Sequence, residues 1–245
     1  MAYVYLALLV ALVPGSIFAS VRAWQARRRS RGLDVFAREH GLQHYDVDPF
    51  GLIDHAFDLF CLGERPQIRN IVSGPWDGVE VRGADLWFSL PTRRSDTSMF
   101  AVSGRSVWDF VHHGGRAFSF ASVALDAVLP HISIRRRGEV EATAARLEPG
   151  SLRFESDRFN HRYDVRCDDR EYAWQFVDIR LMQWLIDLSD SKPDLTFEAA
   201  GDRVLVHCRQ LQASELALLF RATRRFHELV PQMVLRRFPL IVSRG

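Results

Sequence analysis

Hydrophobic and polar positions alternate along this chain with three different periods. Residues 2–21 carry no charged side chain, and ten of those twenty positions are Val, Leu, Ile or Phe. Twenty residues at about 1.5 Å rise reach roughly 30 Å, the thickness of a bilayer's hydrocarbon core. Pro14 and Gly15 interrupt the run, as is tolerated in a membrane helix, and Tyr3, Tyr5 and Trp24 flank it where interfacial aromatics sit. Arg22, Arg27, Arg28, Arg29 and Arg31 follow at once, whereas a cleaved leader carries its basic residues before the apolar core. The pattern predicts a single transmembrane helix with its N-terminus outside and its C-terminal domain cytoplasmic. The five arginines are also candidate contacts for anionic lipid headgroups.

Beyond the flank the period shifts. Leu33, Phe36, Ala37 and His40 recur at helical spacing, and Gly41 suits a C-terminal stop. Leu42–Val47 reads as extended, Asp48–Gly51 as a turn, and Ile53–Leu62 fits either a helical turn or a strand. Gln67–Ser73 and Val79–Phe88, separated by Gly74–Gly78, predict a hairpin. Pro91–Ser98 reads as a loop, Phe100–Ser103 as a third strand, and 108–115 stays open. Arg116–Leu125 predicts a further strand, broken by Pro130 before His131–Arg135, and Glu139–Leu147 a short helix.

The second half is patterned more regularly. Leu152–Glu155 and His161–Cys167 read as strands, and Asp168 or Asp169 caps a helix through Tyr172, Ala173, Phe176 and Val177. Leu181, Trp184, Leu185 and Leu188 continue a helical pattern. Leu195–Ala199 and Arg203–Arg209 predict a second hairpin around Ala200–Asp202. Ser214 and Glu215 open a final helix that buries Leu216, Leu219, Phe220, Thr223, Phe226 and Val230 before Pro231. The expected class is α+β: a transmembrane helix (1–21), a basic juxtamembrane flank (22–32), and a cytoplasmic domain (33–245) with a mixed, mainly antiparallel sheet and packed helices. Residues 138–150 mark a break if the domain has two lobes.

Charge sharpens this reading. Of 32 basic residues, five precede residue 33, where there is no acid. The rest of the chain holds 27 basic against 30 acidic residues, a balance opposite to that of a nucleic-acid module. Cys61, Cys167 and Cys208 are odd in number and widely spaced, as expected of reduced thiols.

The stretch Phe154–Val165, with Asp168, Ala173 and Met182, resembles the pattern E-S-x-x-F-x-x-x-[FY]-x-V…D-x-x-x-A…M. That pattern belongs to a bacterial, actinobacterial-type group of membrane-anchored proteins of unknown function. Ile179 stands where the group often has Pro. The resemblance implies membrane anchoring and a mixed α+β domain, and no catalytic residues. Read by periodicity alone, Phe154, Phe159, Tyr163, Val165 and Cys167 face inward as packing residues.

Motif chemistry is sparse. There is no phosphate-binding GxxxxGK[ST], no GxGxxG and no GxSxG. His55 and Cys61, like His161 and Cys167, stand six apart, and His207 adjoins Cys208; none of these is a structural zinc spacing or HExxH. His112–Gly115 has loop composition. The sequence therefore assigns no catalytic, cofactor-binding or metal residue. It points to a tethered binding or scaffold module, with an enzyme using His and Asp side chains, or a lipid-surface domain of the last helix and Met233–Val242, as the alternatives.

Overall fold

The computed structural model describes residues 24–62, 64–89, 116–137, 152–188 and 193–240. The transmembrane segment 2–21, the loop and strand expected at 91–103, residues 108–115 and the helix expected at 139–147 lie outside these. No helix among the described residues is long and apolar enough to cross a membrane.

Helix α1 (24–39) carries the basic flank into the domain without a break. Leu33, Phe36 and Ala37 are buried along one face. The helix stops at Gly41, at φ 68°. There the Leu42 N–H bonds to the Ala37 carbonyl at 2.7 Å and the Gly41 N–H to Arg38 at 3.3 Å, a Schellman end. The chain then enters β1 (Gln43–Val47) and two 3-10 segments, Leu52–Asp54 and Asp58–Cys61. Strands β2 (Glu64–Trp76), β3 (Val79–Ser89), β4 (Arg116–Arg136), β5 (Tyr163–Arg166) and β6 (Thr196–Arg209) complete one antiparallel six-stranded sheet. Its order is β1-β2-β3-β4-β5, with β6 pairing β4 as well. Helices α2 (Asp157–Arg162), α3 (Arg170–Phe176), α4 (Ile179–Leu188), α5 (Leu216–Leu229) and α6 (Gln232–Arg237) follow in chain order. The class is the expected mixed α+β. Strands from either side of residues 138–150, which lie outside the described residues, pair in the same sheet.

The sheet is covered on both faces. Val81, Val123, Val204 and Val206 point toward the helices, whereas Ala84, Leu86, Phe120 and Leu205 form a second core with Leu52, Phe57 and Leu59 of the 3-10 segments. On the helical side α5 lies so close to β3 that a Cβ on Gly83 would stand 2.3 Å from Phe220.

Two expected breaks turn out to be bends. The hairpin at 67–88 exists, but its turn is only Asp77-Gly78, and Gly74–Trp76 belong to β2. Both turn residues have positive φ, 46° and 90°, as the tight hairpin turn matched to strand twist requires. Pro130 does not end β4, and Ala200–Asp202 does not make a hairpin. β4 and β6 instead pair along their whole length, with register shifts between Ala124 and Ile132 opposite Gly201, at φ 57°. A bulge is where a strand tolerates a proline without its N–H and a glycine at positive φ. Leu152–Glu155 is irregular, and Phe159 reaches the core from helix α2 instead of a strand.

The block from Phe154 to Met182 is a packing unit. Ser156 caps α2 by accepting the Phe159 N–H at 3.2 Å. The Asn160 amide closes both backbone groups of Phe154, at 2.9 and 2.8 Å. The buried Tyr163 hydroxyl donates to the Leu185 carbonyl at 2.7 Å. Asp169, not Asp168, caps α3 through the Tyr172 N–H at 3.0 Å. Phe159, Ala173 and Met182 are buried among these elements.

Candidate functional site

Two polar constellations interrupt the apolar interior, one on each face of the sheet. The first lies under α1. Asp85 of β3 is 1% exposed. Arg29 meets its carboxylate with two N–H groups, Nε at 3.0 Å and Nη2 at 2.8 Å. Ser119 of β4 donates to it at 3.0 Å, and Asn70, held at φ 54° in a bulge of β2, donates at 3.1 Å. Arg29 also donates to the Leu211 carbonyl beyond β6. One side chain of the basic flank thus ties α1 to β3, to Ser119 of β4 and to the segment after β6. Of the five flank arginines, Arg29 is committed to this pair, Arg27, Arg28 and Arg31 are exposed on α1, and Arg22 lies outside the described residues.

The second lies on the opposite face, in the bend of the β4/β6 ribbon. Nine extended residues would separate Glu198 from His207 by about 30 Å, yet His207 Nε2 stands 3.2 Å from Glu198 Oε1. β6 therefore folds back across Gly201, and the two side chains meet inside the bend. Glu198 is fully buried. Its Oε2 accepts the Asp58 N–H at 2.6 Å and His131 Nε2 at 3.3 Å, and its Oε1 accepts the Leu59 N–H at 3.3 Å. Burial alone would push this carboxyl up, but the hydrogen bonds from His131, His207 and the Asp58 backbone outweigh it and hold it down at about 2. The Glu198 bond raises the His131 imidazole against the effect of burial, helped by Asp58, whose carboxylate is 3.7 Å away. His207 Nδ1 is buried without a partner, so Nε2 is the nitrogen that carries the proton toward Glu198.

A basic group adjoins this site on the same face. Arg82 packs over the Phe50 ring at 4.1 Å, and Arg203 is buried with its Nε unpaired. Burial lowers the His55 imidazole further than Asp202, 3.8 Å away, can restore, and Arg203 and Arg82 lower it more.

The sequence-level candidates are dispersed. Cys61 is exposed, Cys167 sits beside the Asp169 carbonyl, and His112 lies outside the described residues. His207 and Cys208 point to opposite faces, and burial pushes the Cys208 thiol up to about 12. Asp58, His131 and Glu198 carried no motif. They come from three segments, with Glu198 67 residues from His131 and 140 from Asp58.

No family model matches the chain, and no curated protein matches it. A solved structure does. The fold is similar to that of the mycobacterial trehalose monomycolate transport factor A, TtfA. The likeness covers 87% of this chain and 97% of that one, at a TM-score of 0.52 and 12% identity. It extends to the architecture, and none of the residues above is carried over from TtfA.

Proposed function

We propose that this protein is a membrane-tethered binding or scaffold domain. Residues 2–21 span the bilayer with the N-terminus outside, and the α+β domain faces the cytoplasm. The observation that carries this reading is the fastening of the basic flank to the core: α1, helical across the described residues 24–39, is fixed by Arg29 to Asp85. A linker to an independent enzyme has no need of such a joint; a platform that must present its surface in a fixed attitude does. The transport-factor description of TtfA fits an accessory role of that kind, and the resemblance of the 154–165 block to membrane-anchored bacterial proteins supports the span. Arg27, Arg28 and Arg31, with the exposed Trp24 against Arg28, supply contacts for an anionic headgroup layer.

The test is a topology reporter active only outside the cytoplasm, fused after Gly245, together with proximity labelling from the anchored full chain. The reading requires a silent reporter and membrane-linked protein neighbours. An active reporter refutes the orientation, and recovery of the chain in the aqueous fraction refutes the tether.

A further inference from the structure

The Glu198 constellation has more than the structural duty of neutralising a buried carboxylate. Asp58, His131 and Glu198 each offer one ligand atom, and the three atoms lie within 4.8 Å of one another. Four ligands arranged tetrahedrally about zinc at about 2.0–2.1 Å are separated from each other by about 3.3–3.4 Å. His131 Nε2 is 3.3 Å from Glu198 Oε2 and 3.7 Å from Asp58 Oδ1. Two of the three separations are thus close to the edges of a coordination tetrahedron, and the third is within 4.8 Å.

We propose that Asp58, His131 and Glu198 form a binding site for a divalent cation of the zinc class, with a fourth position left to water. The imidazole favours zinc or cobalt over magnesium, which demands six oxygen ligands in strict octahedral array. Binding disturbs little. The cation replaces one hydrogen bond, that between His131 and Glu198, and the His131 Nε2 proton leaves to solvent. Glu198 Oε2 keeps the Asp58 N–H, and Oε1 keeps the Leu59 N–H and His207. His207 thus acts as the partner that orients a ligating carboxylate, the arrangement that sharpens metal affinity in known sites. Asp58 is the open side: its side chain is 58% exposed and swings in from the 3-10 segment. The ion links that segment to both β4 and β6 at the bend. This inference does not depend on the tether.

The experiment uses the purified full chain, stripped with a chelator and titrated with Co2+ and then Zn2+. The expected result is the visible ligand-field absorption of four-coordinate cobalt, bleached on addition of Zn2+, and a thermal midpoint raised by Zn2+. Asp58→Asn, at an exposed position that leaves the core intact, and His131→Gln abolish both signals. His207→Gln weakens Zn2+ binding by about 10- to 100-fold. His161→Gln, at an exposed position on α2 and not among the three ligands, leaves them unchanged. The proposal is overturned if cobalt gives no such spectrum, or if the spectrum survives Asp58→Asn and His131→Gln, which would place bound metal elsewhere on the chain.

Discussion

Replacing Arg29 by Met should loosen α1 from the sheet. The substitution keeps the apolar stem and removes the guanidinium. Asp85, 1% exposed, is then left with only the Asn70 amide and the Ser119 hydroxyl, and the Leu211 carbonyl loses its side-chain donor. Removing one partner of a buried ion pair costs about 3–5 kcal/mol, because a charge remains without its counter-ion. That is a large share of a total stability of about 5–15 kcal/mol. Leu33 and Phe36, worth about 1.5–3 kcal/mol each when buried, continue to hold α1. The loss should therefore appear as a lower urea midpoint with α1 still helical, and as faster amide exchange across residues 28–39 than in β6. The double variant Arg29→Met, Asp85→Leu removes both charges and should recover part of the loss, a coupling of about 1–3 kcal/mol. If Arg29→Met costs under about 1 kcal/mol, or the double variant costs the sum of the singles, the pair does not anchor the helix.

Other outcomes follow from the same interior. Gly83→Ala drives a methyl into Phe220 and should cost about 1–3 kcal/mol in denaturant unfolding, whereas Gly78→Ala places a Cβ in open space and is strained only by its positive φ. Tyr163→Phe removes the buried hydrogen bond to the Leu185 carbonyl and should cost about 1 kcal/mol in the same assay. Burial lowers the His227 imidazole below its ordinary value. The unfolded chain therefore takes up that proton first, and stability falls as pH drops below about 6.5; His227→Gln should flatten this limb in a pH series of unfolding curves. Iodoacetamide should modify the exposed Cys61 in the native protein and reach Cys208, with its buried and raised thiol, only after denaturation, as peptide mapping would show.

The legible parts of this fold were those where local chemistry and tertiary packing agree. The six residues expected to line α5 are all buried, because a helix on a sheet uses its 3.6-residue period without interference. The Gly74–Gly78 stretch announced a hairpin, and the structure narrows its turn to Asp77-Gly78, where both residues have positive φ. Pro130 and Gly201 misled for the same reason that they usually inform: each disfavours a regular strand. Here each is placed at the bulge where β4 and β6 bend together, so the breaker shapes the ribbon instead of ending it. The Glu198 constellation was hidden by a different effect. A polar residue alternating with Phe197 and Ala199 reads as facing water, but this sheet has no wet face there, since the 3-10 segments roof it. The usable signal was the surplus of apolar residues at 57–60, a segment too hydrophobic for a plain loop.

The joint under α1 also sets a schedule for synthesis. Arg29's partners lie 56, 90 and 182 residues farther along the chain. At about 5–20 residues per second, roughly 10–35 s pass between the emergence of Arg29 and that of Leu211. In the finished fold Phe36 rests on Trp76 of β2, 40 residues farther along, so this face of α1 gains its first sheet partner well before Leu211 emerges. The order in which the chain is made thus sets the order in which α1 is fastened, with Asp85 available to Arg29 after 56 residues and Leu211 only after 182.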